Sequence, residues 1–190
     1  MRPATWRRGL CGRRAHLPGR RVSERRRLTV VAVIADTHMP RGSRRLPREC
    51  LRRLETAELI LHAGDFTGAA VLEELGRLAP VEGVAGNMDE PALLELLPER
   101  QVVGIAGARI GMLHVPGPAA GRAARLAAAF PGCDAVVYGH THLPDVSRVG
   151  EVWVLNPGSP TERRGAPAHS MLMLKVESGE IRPELVTLSG

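Results

Sequence analysis

His140 and His142 stand two residues apart in the run GHTH, behind Gly139 and just after the apolar stretch AVVY. Two imidazoles at that spacing can aim at one point. The chain holds further residues of the same chemical kind. They are Asp36 and His38, Asp65, Asn87 and Asp89, and His114, and each follows an apolar run. Carboxylate, amide oxygen and imidazole are the donors that hard and borderline divalent cations take, and no thiolate is among them. The set holds more donors than one tetrahedral zinc needs, and suits two ions that share a carboxylate. A single Asp at the end of a strand caps a helix or stabilises a turn more often than it binds metal. The inference therefore rests on the whole set, and on the glycine that lets the backbone turn beside Asp65, Asn87 and His140.

The elements that must position these residues are legible as hydrophobic periods. LTVVAVIAD (28–36) is an apolar, β-branched run ending in an acid, which predicts a buried strand. Residues 46–58 place Leu46, Leu51 and Leu54 between charges, a helical period. LILHAGD (59–65) predicts a second strand, 68–79 a helix, VEGVAGN (81–87) a third strand, and 90–98 a short helix opening near Pro91. Residues 101–115 predict a hairpin turning near Gly107 and Ala108, 119–130 a helix, and 134–140 and 151–159 two strands. The tail 169–189 predicts a hairpin around Ser178 and Gly179. This order suits one α/β domain with two sheets, one more parallel and one more antiparallel. In such sheets, sites form at the C-terminal ends of strands, where these polar residues stand.

Composition narrows the class. The chain has 190 residues, enough for one domain with a core. Aromatics make up 3%, so Val, Leu, Ile and Ala must fill that core. No apolar stretch reaches membrane-span length, so no membrane partner is expected. Cys11, Cys50 and Cys133 form no CxxC pair, which speaks against a disulfide framework or thiolate zinc site and suits a reducing cytoplasm. Charge is unevenly placed. Residues 1–27 hold ten Arg and one acid, or +9, whereas the whole chain is +6 and residues 28–190 are therefore about −3. The pI near 10.4 thus describes an arm rather than the folded body. The arm lacks apolar periodicity, is rich in Arg, Gly and Pro, and is expected to be disordered. A phosphate-binding tail that contacts nucleic acid is one reading; a dispensable extension is the preferred one. The expected organisation is an N-terminal extension, 1–27, and one domain, 28–190.

DTH (36–38), AGD (63–65), GNMD (86–89), LHV (113–115) and GHTH (139–142) resemble, in order, the signature motifs of the calcineurin-like metallophosphoesterases. The likeness spans residues 30–160. With NPGSPTERR (156–164) following, the chain is similar to the small single-domain phosphodiesterase branch. The resemblance implies a four-layer αββα sandwich with two mixed β-sheets and two divalent metal ions at one edge. It gives one ion Asp36, His38, His142 and Asp65, and the other Asp65, Asn87, His114 and His140, with Asp65 bridging. Asp89 would orient a ligand, or cap the helix near Pro91. Manganese is the first expectation for the ions, with iron, zinc, nickel or magnesium as alternatives. The implied function is a metal-dependent phosphodiesterase acting on a small phosphodiester by in-line attack of a hydroxide bridging the ions. A non-catalytic protein-interaction module on the same fold is the alternative, and a nucleic-acid-binding phosphoesterase using the arm is another. Oligomeric state stays open, a dimer included.

Two departures bear on the substrate. Many relatives carry, directly after the motif's Asn, a His that protonates the leaving group; here that residue is Met88, and a thioether has no proton to give. General acid catalysis contributes about 10²–10⁴-fold, so aryl or cyclic diesters are expected to outrun alkyl monoesters. The second departure is His114-Val-Pro-Gly-Pro, a stiffer run than the Gly-His or Gly-Asp of relatives. Arg41, Arg44 and Arg45 could reach a phosphate but are read as solvated surface, His62 as a packed or supporting residue, and Ser159 as a turn former.

Overall fold

The run TVVAVI forms β1 (Thr29–Ile34). Its alternation sends Val31 and Val33 to one face and Ala32 and Ile34 to the other, and all four are buried. Both faces are covered because the second sheet packs on one and helices pack on the other. The computed structural model describes residues 28–189; the arm 1–27, with its expected disorder, lies outside the described residues.

After β1 come α1 (Arg48–Glu55), β2 (Leu59–His62), α2 (Ala69–Gly76), β3 (Val81–Gly83) and α3 (Pro91–Leu96). The second half holds β4 (Arg100–Ile105), β5 (Ala108–Leu113), α4 (Arg122–Ala129), β6 (Ala135–Tyr138), β7 (Asp145–Val149), β8 (Val152–Asn156), β9 (His169–Glu177) and β10 (Glu180–Leu188). One sheet has the order β10-β9-β1-β2-β3 and the other β4-β5-β6-β8-β7. The expected contrast between a parallel and an antiparallel sheet does not occur. Each sheet has two parallel and two antiparallel pairings. A strand's own sequence does not name its partner, and the tail hairpin pairs with β1 rather than extending the second sheet. The edge strand β7, DVSRV, lies outside the strands its sequence predicts, since it is short, polar and only partly buried.

Three apolar clusters make four layers. Val31, Val33, Leu61, Leu172 and Leu174 meet Ile110, Met112, Val137 and Leu155 between the sheets. Leu54 of α1, Val71 and Leu75 of α2 and Leu93 of α3 pack on the outer face of the first sheet, against Ile34, Ile60 and Met171. Leu126 and Phe130 close the outer face of the second sheet over Val136, Tyr138 and Val154. The architecture is the αββα sandwich. Each fully buried aliphatic side chain contributes about 1.5–3 kcal/mol. β1, β2 and β3 run parallel, as do β5, β6 and β8.

Candidate metal centre

The loops leaving β1 and β2 run side by side past the strands. Asp36 N donates to Gly64 O at 2.9 Å, His38 N to Asp65 O at 3.0 Å, and Met39 N to Phe66 O at 3.0 Å. This pairing carries the D-x-H segment alongside Asp65. The price is backbone strain: Asp36, His38, Asp65, His140 and His142 all have positive φ, between 46° and 71°. Non-glycine residues rarely adopt that region, and it concentrates at functional sites. Two glycines make the approach possible. A Cβ at Gly64 would lie 2.6 Å from His114 Nδ1, and one at Gly86 would overlap the Asp65 backbone and carboxylate.

The structure brings seven of the eight expected residues into one constellation. His38 Nε2 is 3.2 Å from His142 Nε2. Asp36 Oδ1 is 3.3 Å from that same His142 nitrogen, and Asp65 Oδ2 is 3.6 Å from His38 Nε2. Next to this group, His114 Nε2 lies 3.3 Å from Asp65 Oδ2 and 3.1 Å from Asn87 Oδ1, while His140 Nδ1 is 2.9 Å from the same amide oxygen. Asp65 Oδ2 thus lies between the two halves. Asp36 also reaches both, since it clusters with His38 and His142 and again with Asp65 and His114. Asp36, His38, Asp65, His114 and His142 are buried, whereas His140 is half-buried and Asn87 exposed. The first half is therefore closed and the second opens to solvent. A cavity of about 490 Å³ adjoins that open side, lined in part by Asn87, His114, Leu94 and Val115.

The donor set fits divalent cations. His142 Nδ1 is 2.6 Å from Glu162 O, and His114 Nδ1 is 2.7 Å from Ala63 O. A carbonyl only accepts, so each Nδ1 carries a proton and each ring turns its Nε2 toward the carboxylates. Lone pairs converging within van der Waals distance in a buried place repel unless a cation or proton lies between them.

Electrostatics agree with the crowding. Burial would raise the Asp65 carboxyl, but the His114 hydrogen bond and charge, the Met88 amide and His38 together hold it below its ordinary range. Burial pulls His114 down, and the bond to Asp65 with the charges of Asp36 and Asp65 more than reverses it. Burial lowers His38 and His140, with the like charge of His114 adding to the effect at His140.

Asp89 stands apart from the donors. Its two oxygens accept from Thr67 N and Gly86 N, both at 2.7 Å, tying the Asn87 turn to the loop after Asp65. It does not cap α3; Glu90 precedes that helix, and its own carboxylate accepts from Ala69 N at the start of α2. Met88 contributes through its backbone, whose N–H donates to Asp65 Oδ1 at 2.8 Å. His62 stacks on Phe66 and shares a hydrogen bond with Thr37 Oγ1.

Several supporting residues carried no local signal. Ser159 Oγ donates to Asp36 O at 2.8 Å and accepts from Glu162 N, so it fastens two loops as well as shaping its turn. Thr161 Oγ1 donates to Thr37 O at 2.7 Å. Asn156 Nδ2 donates to Gly139 O and Thr141 Oγ1. Arg125 on α4 donates to the carbonyls of Pro116, Pro118 and Ala120, bracing the chain after His114. Of the three arginines after His38, Arg41 and Arg45 are exposed, while Arg44 is half-buried and pairs with Glu162 at 3.0 Å.

Comparison with known proteins gives a consistent answer. A family model described as the calcineurin-like phosphoesterase superfamily domain matches residues 30–179. The chain is 35% identical over 159 residues to a probable metallophosphoesterase of Methanothermobacter thermautotrophicus, covering 83% of this chain and 91% of that one. It is 36% identical over 151 residues to a probable metallophosphoesterase of Methanocaldococcus jannaschii, covering 78% and 76%. Among solved structures, Vps29 from Entamoeba histolytica complexed with zinc has a TM-score of 0.66 at 28% identity, covering 84% of this chain and 99% of that one.

Proposed function

The chain belongs to the calcineurin-like phosphoesterase superfamily, and from that premise we propose that it is a metal-dependent phosphodiesterase acting on small diesters. The observation that carries this reading is the buried convergence of His38 Nε2, His142 Nε2, Asp36 Oδ1 and Asp65 Oδ2. In this reading Asp36, His38, His142 and Asp65 hold one divalent ion. Asp65, Asn87, His114 and His140 hold the second. Manganese is the first candidate, and iron, zinc, nickel and magnesium suit the same donors. When bound, such a pair lowers the pKa of a water and neutralises phosphoryl oxygens.

The chain's own part is positioning. Ala63 O and Glu162 O fix the tautomers of His114 and His142, which keeps both Nε2 lone pairs available. The Met88 amide occupies Asp65 Oδ1 and leaves Oδ2 toward the histidines. Asp89 holds the Asn87 turn through two backbone bonds and acts as a positioning residue. The substrate phosphate enters at the open side, by Asn87 and His140, with its ester group toward the cavity lined by Leu94 and Val115. Met88 supplies no proton to the departing oxygen, so good leaving groups are favoured.

The test is hydrolysis of bis(p-nitrophenyl) phosphate by chelator-stripped protein refilled with manganese, beside Asp65→Asn. Activity that needs metal and is lost with Asp65 supports the reading, as does faster turnover of aryl or cyclic diesters than of alkyl monoesters. Protein that binds metal yet hydrolyses none of these overturns it. That outcome would favour a non-catalytic interaction module, the reading to which the likeness to Vps29 lends weight.

A further inference from the structure

Glu162 lies outside the five motifs, yet its carboxylate faces the closed half of the constellation. Glu162 Oε2 is 3.8 Å from His38 Nε2. That nitrogen is 3.2 Å from His142 Nε2, 3.6 Å from Asp65 Oδ2 and 3.9 Å from Asp36 Oδ1. Atoms ligating one ion at about 2.1 Å stand roughly 3–4.3 Å apart, depending on the angle between them. The Glu162 oxygen stands in that range from His38 Nε2, while Asp36, His38 and His142 close more tightly on one another.

Its placement is built rather than incidental. The backbone of Glu162 is held at both polar atoms, its N–H donating to Ser159 Oγ at 2.9 Å and its carbonyl accepting from His142 Nδ1 at 2.6 Å. Neighbouring Thr161 is bonded to Thr37 O, inside the D-x-H loop itself. The other carboxylate oxygen, Oε1, accepts from Arg44 at 3.0 Å. Arg44 thereby orients the carboxylate and balances a charge that would otherwise add to those of Asp36 and Asp65. His38 is the ligand-type histidine whose Nδ1 is buried without a partner, so nothing on its far side fixes its ring. A carboxylate on its Nε2 side is then the group available to steady that corner.

We propose that Glu162 is a further ligand of the ion held by Asp36, His38 and His142, one oxygen facing the ion and the other held by Arg44. The proposal rests on the metal-dependent reading above. It makes that position richer in oxygen and in negative charge, which suits a hard, six-coordinate ion such as manganese better than tetrahedral zinc.

The experiment is calorimetric titration of the metal-free full chain with Mn²⁺, for wild type, Glu162→Ala and Arg44→Ala, beside the thermal melting of each metal-free protein. The expected result is two ions for wild type and a loss of about tenfold or more at one of them in Glu162→Ala. Arg44→Ala is expected to weaken that ion less, because the carboxylate remains and loses only the partner that orients it. Should Glu162→Ala melt early, Glu162→Leu, which keeps much of the side chain's bulk and offers no oxygen, carries the same comparison. Unchanged affinity in the Glu162 variants overturns the proposal. So does an equal loss in Arg44→Ala, which would mark the ion pair as a loop fastener. Wild type that binds no Mn²⁺ overturns both this proposal and the phosphodiesterase reading. Wild type that binds as expected but hydrolyses no diester overturns the reading alone.

Discussion

The space between the two sheets and the edge where their strands end are both buried, and they are built by opposite rules. Between the sheets, Val31, Leu61, Ile110, Val137 and Leu155 interlock as aliphatic volume on ordinary strand backbone. At the edge, Asp36, His38, Asp65, His114 and His142 bury charge and ring nitrogens, and four of these five residues sit at positive φ. Aliphatic burial is favourable whatever the neighbours; buried carboxylates and strained residues persist only where surrounding structure over-determines them. The first region thus stabilises the chain and the second draws on that stability.

That contrast can be broken by experiment. Asp65→Asn is expected to show the largest effect, a fall of about a thousandfold or more in diester hydrolysis, from losing several kcal/mol of charge stabilisation. Its metal-free form should lose only a little stability, since His114 and the Met88 amide favour the Asp65 carboxylate while burial disfavours it. A large drop in melting temperature would mean the site also stabilises the fold. Leu155→Ala should do the reverse and cost about 2–5 kcal/mol in denaturant unfolding, with metal affinity of the folded fraction intact. Weakened metal binding in that variant would join the two regions. Removing metal with a chelator should lower stability by about 2.7 kcal/mol relative to protein at a hundred times its metal dissociation constant, read as a shift in melting temperature. Gly86→Ala should destabilise folding by about 1–3 kcal/mol, since its Cβ meets the Asp65 backbone and carboxylate; it should weaken metal binding as well, and a variant that binds normally would show that the turn has slack.

The same contrast decides what the sequence reveals. β1, β2, β6 and β9 are visible because burial on both faces leaves apolar runs, and the donor residues are visible because they follow such runs. β7 is hidden because a short, half-exposed edge strand needs no apolar pattern. The balance of parallel and antiparallel pairing is hidden because it depends on which strands become neighbours. At the site, the residue types of Asp36, His38, Asp65, Asn87, His114, His140 and His142 announce their chemistry. Ser159, Thr161 and Glu162 act on the D-x-H loop from more than 120 positions away, and common residue types at such separation leave no local trace. Met88 illustrates a further limit: its side chain indicates what is lacking, while its contribution is an amide N–H that any residue but proline has.

The position of β9 between β10 and β1 has a consequence for synthesis. Among the described residues, β1 leaves the ribosome first and pairs on one side with β2, some thirty residues on, but its other edge waits for β9, which begins at His169. The second sheet lies wholly within residues 100–156 and can pair completely before then. A nascent chain halted before His169 should therefore present an apolar, unpaired β1 edge, the kind of surface that chaperones and neighbouring chains capture. Protease digestion of stalled chains should show residues 100–156 protected ahead of β1, and protection of both at once would refute that order.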